Sequence, residues 1–342
     1  MKNSDNFYIR KMKENIALRD RVAQFIKDWE TLNTESMKTY IQEDADIDFC
    51  IFARGIDRET FLRKMAVRPK KATWTRFDLY NYVGLFEKGR AQITCEIVME
   101  FVNDEDEPAT EFNMVSNFVA TLVSVGEYDW RFSVMKLNQQ EDNRIKHPVL
   151  QTSGIPLIPD RGCVDFVSDW ILHDDRIGWF PGKRMLTVLP EVDMPWNAIK
   201  NPEYIGSDEE QIERTVFAYY YGVDQILGTQ FMDYTFGEDG MIIYNDGAPL
   251  DVRAEIEAMK TQIQGSPRVV HVAKVIDIQV DGDHAVAKTY NRMHSSPFFA
   301  DPVQRETRTA WARYRITLTR RNGQWRIDRL NYYPAFFVAE EA

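Results

Sequence analysis

The stretch LNTESM (32–37) has a counterpart in LGTQFM (227–232), where Leu, Thr and Met stand at matching places 195 positions later. The same spacing separates DWR (129–131) from QWR (324–326), near the other end of each half. Between these anchors, matching residues are 194 positions apart. A nearly constant offset over about a hundred residues indicates a duplicated unit, so the sequence predicts two copies of one domain.

Each copy predicts the same order of elements. A helix is followed by a shorter helix, one strand and another helix, and three or four long strands with period-2 patterning complete the copy. In the second copy, SDEE (207–210) resembles a capping box at the start of a helix. Tight turns at DGD (281–283) and RNG (321–323) predict hairpins. Helices followed by an antiparallel meander predict an α+β fold in which a curved sheet wraps around the helices.

The predicted domains are residues 1–137 and 207–342, joined by a connector at 138–206. This connector holds seven of the fourteen prolines, which excludes a long helix or a central strand there. It also holds three of the eight tryptophans, which a flexible linker would not need. We therefore expect an ordered connector.

Composition narrows the class of protein. The chain has 42 basic and 53 acidic residues and a formal net charge of −11, without a marked basic cluster, which argues against nucleic acid and anionic membranes as partners. Its N-terminus lacks the apolar segment of a secretory signal, and its three cysteines show no paired spacing, so we expect a soluble, cytoplasmic protein. Nucleotide, hydrolase and metal motifs are absent from the sequence, so we expect neither a cofactor nor a metal.

Both halves resemble the nuclear transport factor 2 (NTF2)-like superfamily in its SnoaL-like branch, over about 15–137 and 207–337. The stretches that carry the resemblance are FAYYYGVDQILGTQFMDYTFGEDGMIIYN (217–245), RVVHVAKVIDIQVDGDHAVAKTYN (268–291) and ARYRITLTRRNGQWRIDRL (312–330). The resemblance implies two cone-shaped α+β barrels in tandem, each with helices packed in a curved antiparallel sheet and a deep, mostly apolar pocket. The superfamily includes cofactor-free dehydratases, isomerases and cyclases, but also binding and scaffold proteins, so the fold alone does not decide function.

Asp224 and His271 are the main catalytic candidates. Asp224 follows Tyr220 by four positions, so its carboxylate lies on the apolar face of the predicted helix. His271 interrupts a strand of Val, Ala and Ile, where a neutral imidazole would suit proton transfer. The resemblance implies that the two form an acid/base pair like that of dehydratase members; the alternative is a hydrogen-bonded core pair.

His294 is a third candidate, because the resemblance implies a second pocket histidine on the next strand. Its parity argues against this, since it shares a strand face with Lys288 and Arg292 unless a bulge intervenes. Residues that could line the pocket and bind substrate are Tyr220, Tyr244, Asn245, Tyr290 and Tyr314.

The first copy lacks these groups. At an offset of 195, Trp29 stands where Asp224 does, and at an offset of 194, Phe77 stands where His271 does. The first half is therefore expected to have the fold without the chemistry, with a pocket filled by its own side chains.

Two functions remain open. The favoured one is a cofactor-independent lyase or isomerase of dehydratase type, acting on a small hydrophobic hydroxy- or keto-substrate, aromatic ones included, through Asp224 and His271. The alternative is a non-catalytic ligand-binding or assembly protein of the same class. NTF2-like domains commonly pair through their sheets, so an intramolecular pseudo-dimer is expected, and further homo-oligomerisation is left open.

Overall fold

The computed structural model describes residues 2–49, 53–67, 72–105, 110–142, 189–225, 230–263, 268–296 and 308–339. The chain folds into two compact units. Unit 1 comprises Met1–Leu79 and Gly84–Tyr204, and unit 2 comprises Tyr80–Val83 and Ile205–Ala342. The described end of the predicted connector, 189–204, thus belongs to unit 1, while 143–188 lies outside the described residues.

Unit 1 begins with a long helix and closes with long strands. Its elements are α1 (Lys2–Thr31), α2 (Thr34–Tyr40), β1 (Ile41–Phe49), β2 (Ala53–Arg54), α3 (Arg58–Met65), β3 (Trp74–Glu87), β4 (Arg90–Asn103), β5 (Thr110–Gly126), β6 (Asp129–Asp142), a 3₁₀ turn (Glu191–Asp193) and α4 (Pro195–Ala198). The six strands form one mixed sheet in the order β2-β1-β6-β5-β4-β3. β1 runs parallel to β6, and β5 is antiparallel to β4 and β6.

Unit 2 repeats this plan. Its elements are α5 (Asp208–Gln225), α6 (Gln230–Thr235), β7 (Phe236–Tyr244), β8 (Leu250–Asp251), α7 (Val252–Ile263), β9 (Arg268–Asp281), β10 (His284–Ser296), β11 (Arg308–Arg321) and β12 (Gln324–Ala339). Its sheet has the order β8-β7-β12-β11-β10-β9, the same topology as in unit 1.

The strand registers of the two units also correspond. Ile41 pairs with Phe132 in unit 1, and Phe236 pairs with Ile327 in unit 2, so both partners are displaced by 195 positions. The predicted α+β fold and its duplication are therefore confirmed.

The interior of unit 1 is packed with aromatic rings. Phe25 and Trp29, both buried on the inner face of α1, meet strand residues of the same kind: Phe25 stacks on Phe118 with ring centroids 5.5 Å apart, and Trp29 meets Phe77 edge-on at 5.2 Å. Burying each such side chain stabilises the fold by roughly 1.5–3 kcal/mol. These rings occupy the space between helix and sheet.

The end of the connector is tied to unit 1 by polar contacts. Gln92 Nε2 donates to the backbone oxygen of Asp193 at 2.6 Å, and Lys136 pairs with the Asp193 carboxylate at 2.9 Å. Further on, Glu203 accepts from Lys11 Nζ at 2.6 Å and from the backbone N–H of Lys88 at 3.2 Å. These anchors fix the segment that leads into unit 2.

Within the described part of the chain, no helix combines the length and apolarity needed to span a membrane.

Candidate active site

Helix α5 carries the first site residue into the interior of unit 2. The helix begins with the predicted capping box, since Ser207 Oγ accepts from the Glu210 N–H at 3.3 Å and the Glu210 carboxylate accepts from the Ser207 N–H at 2.7 Å. Val216 and Tyr220 are fully buried on its inner face. One turn beyond Tyr220, Asp224 is buried too, in the last turn of the helix.

Asp224 holds His271 at two points. One carboxylate oxygen lies 2.6 Å from His271 Nδ1, and the other accepts the backbone N–H of His271 at 2.6 Å. The side chain of Asp224 is 0% exposed and that of His271 is 9% exposed. With Asp224 ionised and His271 neutral, the carboxylate only accepts hydrogen bonds, so the ring proton lies on Nδ1 and Nε2 carries the free lone pair.

The remaining polar groups of His271 are also accounted for. Its backbone oxygen accepts a hydrogen bond from Asn81 Nδ2 at 2.6 Å. Asn81 lies in β3, within the short segment Tyr80–Val83 that is part of unit 2. None of the described residues forms a hydrogen bond with Nε2. The ring is thus fixed in position and tautomer, with one nitrogen left to meet a ligand.

Unit 1 contains a matching contact without the histidine: a carboxylate at the end of the first helix accepts a backbone N–H of the facing strand, a contact that we call the clamp. Glu30, at the end of α1, accepts the backbone N–H of Phe77 at 2.9 Å, and Asp224 accepts that of His271 across the same sequence distance of 47 residues. The other carboxylate oxygen of Glu30 is bonded to Lys27. Glu30, not Trp29, is therefore the counterpart of Asp224, and the expected pairing of Trp29 with Asp224 is wrong because the helices align at an offset of 194. A carboxylate is present in both units, and His271 is what unit 2 adds.

Two buried tyrosines surround the imidazole. Tyr220 stacks on His271 at 5.5 Å with an interplanar angle of 27°, and Tyr314 meets the edge of both rings at 5.6 and 6.3 Å. The Tyr220 hydroxyl lies 2.7 Å from Thr289 Oγ1. Burial raises the pKa of both tyrosines, so near neutral pH they are phenols that form hydrogen bonds and do not act as bases.

A line of rings continues from Tyr314 toward the surface. Tyr332 packs against Tyr314 at 5.4 Å and against Tyr244 at 5.8 Å. The Tyr244 hydroxyl donates to Glu255 at 3.2 Å. Tyr220, Tyr314 and Tyr244 are thus part of one aromatic surface, but Tyr244 is at the end distant from His271.

Of the other three sequence candidates, Tyr290 and Asn245 lie away from the pair. Tyr290 lies on the opposite face of β10, where its ring packs against Trp311 at 5.2 Å, because strand side chains alternate between faces. Asn245 is exposed in the turn after β7, with a positive φ of 50°. The backbone of His294 pairs with Val270 in the β9–β10 ladder, and its side chain is outside the described part of the structure.

Asn291 is a buried residue of this region that the sequence did not single out. It lies two positions after Thr289 on the same face of β10, and its side chain is 0% exposed. Its amide interacts with the Tyr220 hydroxyl and opposes the rise in the pKa of Tyr220 that burial causes. The alternation of Ala285, Ala287, Thr289 and Asn291 was the available signal for their common inward face.

Metal binding finds no support in the arrangement of side chains. Over the described ranges, no three His, Cys, Asp or Glu residues come close enough together to hold an ion. The chemistry available at this place is therefore that of a histidine, a carboxylate and neutral hydrogen-bonding groups.

Comparison with known proteins identifies the domain type of unit 2. Residues 206–331 match the family model of the SnoaL-like domain. Similar solved structures include a provisionally assigned scytalone dehydratase from Novosphingobium aromaticivorans (19% identity, 40% of this chain and 89% of that chain, TM-score 0.34). A second is a hexachlorocyclohexane dehydrochlorinase from Novosphingobium barchaimii, with 13% identity, 39% of this chain and 89% of that chain covered, and a TM-score of 0.34. A third is an NTF2-like protein from Cytophaga hutchinsonii, with 11% identity, 38% of this chain and 100% of that chain covered, and a TM-score of 0.31. No functionally curated protein matches the chain.

Proposed function

Because residues 206–331 form a SnoaL-like domain with a buried Asp–His pair between helix and sheet, we propose that the chain is a cofactor-independent lyase or isomerase. Asp224 and His271 are its catalytic residues. The observation that carries the proposal is the contrast between the units: both have a carboxylate clamp, and among the described residues it is the clamp of unit 2 that holds an imidazole.

The proposed chemistry is a proton transfer at carbon. His271 Nε2 removes a proton from a carbon next to a carbonyl group, and Asp224 stabilises the imidazolium that forms. In an isomerase the proton returns to another carbon. In a dehydratase the C–H electrons form the new double bond, the C–O bond breaks, and the imidazolium gives its proton to the departing hydroxyl.

The groups around His271 support a substrate class. Tyr220 and Tyr314 present ring surfaces to a flat, apolar molecule, and their neutral hydroxyls suit a carbonyl or hydroxyl oxygen. We therefore propose a small hydrophobic hydroxy- or keto-substrate, aromatic ones included. General acid/base catalysis supplies roughly 10²- to 10⁴-fold, so orientation of the substrate must supply the rest.

Unit 1 is proposed to be non-catalytic. Its Glu30 carboxylate accepts the backbone N–H of Phe77, and its second oxygen is ion-paired with Lys27. Trp29 and Phe77 occupy the corresponding interior. Unit 1 thus has the fold and the clamp, with Phe77 in the place of His271.

A second candidate function follows from the same clamp. Because Glu30 performs the backbone role of Asp224 in unit 1, the Asp224–His271 pair is also compatible with a purely structural joint in a ligand-binding or assembly protein. The two functions differ in whether His271 Nε2 exchanges protons with a bound molecule.

The test compares the wild type with His271→Phe, which gives unit 2 the residue that unit 1 has. A thermal-shift screen of hydrophobic ketones, hydroxyketones and phenols first finds ligands, since a ligand at a hundred times its Kd stabilises by about 2.7 kcal/mol, a shift of a few degrees. Ketone ligands are then incubated in D₂O, and the signal of the protons beside the carbonyl is followed by NMR.

We expect exchange catalysed by the wild type and not by His271→Phe, with binding retained in both. Equal exchange rates in the two proteins would exclude His271 as the base. Binding without exchange in either would favour the ligand-binding function.

A further inference from the structure

The backbone of His271 lies at the edge of a sheet. Its strand, β9, is the last in the order β8-β7-β12-β11-β10-β9, so one side of β9 has no neighbouring strand in the described sheet. The N–H of His271 bonds to Asp224 on α5, so it points to that side and not to β10. In an antiparallel ladder the N–H and C=O of one residue point to the same side, so the carbonyl of His271 points there too.

Asn81 bonds to this carbonyl. Its Nδ2 donates to the His271 oxygen at 2.6 Å, and Asn81 is 1% exposed. Backbone groups at a sheet edge otherwise need water or another strand as their partner. Asp224 accepts from the N–H and meets Nδ1, so the two side chains together hold His271 at three atoms.

The backbone of Asn81 is left-handed within a strand. Its φ is 49°, a region in which most side chains are strained and asparagine is among the tolerated types. A local break of this kind changes the direction of a strand side chain. At the offset of 194, Val275 stands in the second copy where Asn81 stands in the first, just as His271 stands in the place of Phe77. The amide and the imidazole therefore differ between the copies, whereas the clamp is common to both.

We propose that Asn81 is a positioning residue for His271. It acts through the backbone carbonyl: the amide fixes this part of β9 and so keeps Nδ1 at 2.6 Å from Asp224 and Nε2 in a constant place. Asn81 belongs to the segment Tyr80–Val83 of unit 2, outside the SnoaL-like match at 206–331. The inference rests on the proposed function for the reaction that His271 performs, and not for the contact.

The substitution Asn81→Gly removes the amide and leaves a residue that adopts a positive φ without strain. Asn322→Gly is the matched control, because it makes the same replacement at a φ of 52° in an exposed turn. The full chain is used at a temperature at which urea unfolding shows every variant to be folded. If Asn81→Gly does not fold, Asn81→Ser replaces it, since a hydroxyl one bond shorter than the amide does not reach the carbonyl.

The first measurement needs no substrate. NMR follows the exchange with water of the His271 Nδ1–H and, as an internal reference, of the Trp325 indole N–H, which donates to Asp208 at 3.1 Å. We expect the Nδ1–H to exchange about 2- to 10-fold faster in Asn81→Gly, because one hydrogen bond that restrains the residue is lost. The indole N–H should keep its rate, and Asn322→Gly should change neither.

The second measurement is the deuterium exchange of the acetophenone methyl group in D₂O. Asn81→Gly should lower kcat by about 10- to 100-fold and leave KM within about threefold, because a displaced base affects the reaction more than binding. Unchanged exchange of the Nδ1–H, or an equal increase at the indole N–H, would overturn the inference. An unchanged kcat beside a faster Nδ1–H, or a loss confined to KM, would overturn it as well.

Failure of the proposed function would look different. In that case the wild type would not exchange the acetophenone protons, and the Nδ1–H would still show whether Asn81 holds the imidazole in place.

Discussion

The substitution Asp224→Asn tests whether the carboxylate is more than a clamp. The amide oxygen of the new side chain would take over the backbone N–H of His271, as the carboxylate does at 2.6 Å. Its NH₂ group would then face His271 Nδ1, now 2.6 Å from the other carboxylate oxygen, and would donate to it. The ring proton would move to Nε2, so the nitrogen that meets the substrate would be a donor and no longer a base.

Asp224→Asn should change both the reaction rate and the free energy of unfolding. Loss of general base catalysis lowers the rate by roughly 10²- to 10⁴-fold, about 3–5 kcal/mol of transition-state stabilisation. One charge-assisted hydrogen bond is lost in the folded state, which costs about 1.5–3 kcal/mol of unfolding free energy. The rates come from deuterium exchange of a bound ketone followed by NMR, and the stabilities from urea unfolding followed by the fluorescence of the tryptophans.

Glu30→Gln is the matched control. Glutamine keeps an oxygen for the backbone N–H of Phe77 and loses the ion pair with Lys27, whose side chain is 66% exposed. Such a pair is worth less than about 1 kcal/mol, and the exchange rate should not change. If Asp224→Asn exchanged protons within about threefold of the wild type, or if Glu30→Gln slowed exchange as much as Asp224→Asn, the assignment of a catalytic role to Asp224 would be refuted.

Three further changes test the packing and the anchors. Gly222→Ala should destabilise unit 2 by about 1–3 kcal/mol despite the better helix propensity of alanine, because the new Cβ would lie 2.4 Å from the ring of Phe231; unchanged urea unfolding would contradict this. Trp29→Ala should cost about 3–5 kcal/mol and leave a cavity that indole refills, so added indole should raise the melting temperature of this variant and not of the wild type. The hydrogen bond from Lys11 lowers the pKa of Glu203 below 4.5, so its contribution is present above that pH and is lost as the pH falls through the lowered value. Glu203→Gln should therefore be less stable than the wild type at pH 6, by under about 1 kcal/mol, and this difference should shrink as the pH falls below 4.5, as measured by urea unfolding at each pH.

The architecture could be predicted from the sequence because the duplication presents it twice. Anchors at a fixed offset identified equivalent strands, and the structure pairs Ile41 with Phe132 as it pairs Phe236 with Ile327. The spacing of the apolar residues also predicted that Asp224 lies on an apolar helix face and that His271 lies in an apolar strand. The spacing did not predict their contact at 2.6 Å, because they are 47 residues apart and meet only in the folded domain.

The wrong pairing of Trp29 with Asp224 originates in two registers that differ by one residue. Trp29 and Glu30 both lie in the last turn of α1, and the offset is 194 in the helix but 195 in the strand that follows, so sequence alone chose the wrong neighbour. On β10, the ladder to β9 shifts between Lys288 and Thr289. The extra residue is the exposed Ile276 of β9, so the inward parity of β10 is unbroken, and the inward polar residue is Asn291.

The comparison of Glu30 with Asp224 separates structure from chemistry within one chain. In both units a carboxylate at the end of the first helix fixes the same strand by a backbone N–H, so this contact belongs to the fold. The second carboxylate oxygen is then available, and in unit 1 it is bonded to Lys27. In unit 2 it orients an imidazole that is in contact with two neutral tyrosines. Reactivity would thus require three additions to a contact that the fold already supplies: the histidine, the polar groups that face it, and an interior without the rings that occupy unit 1.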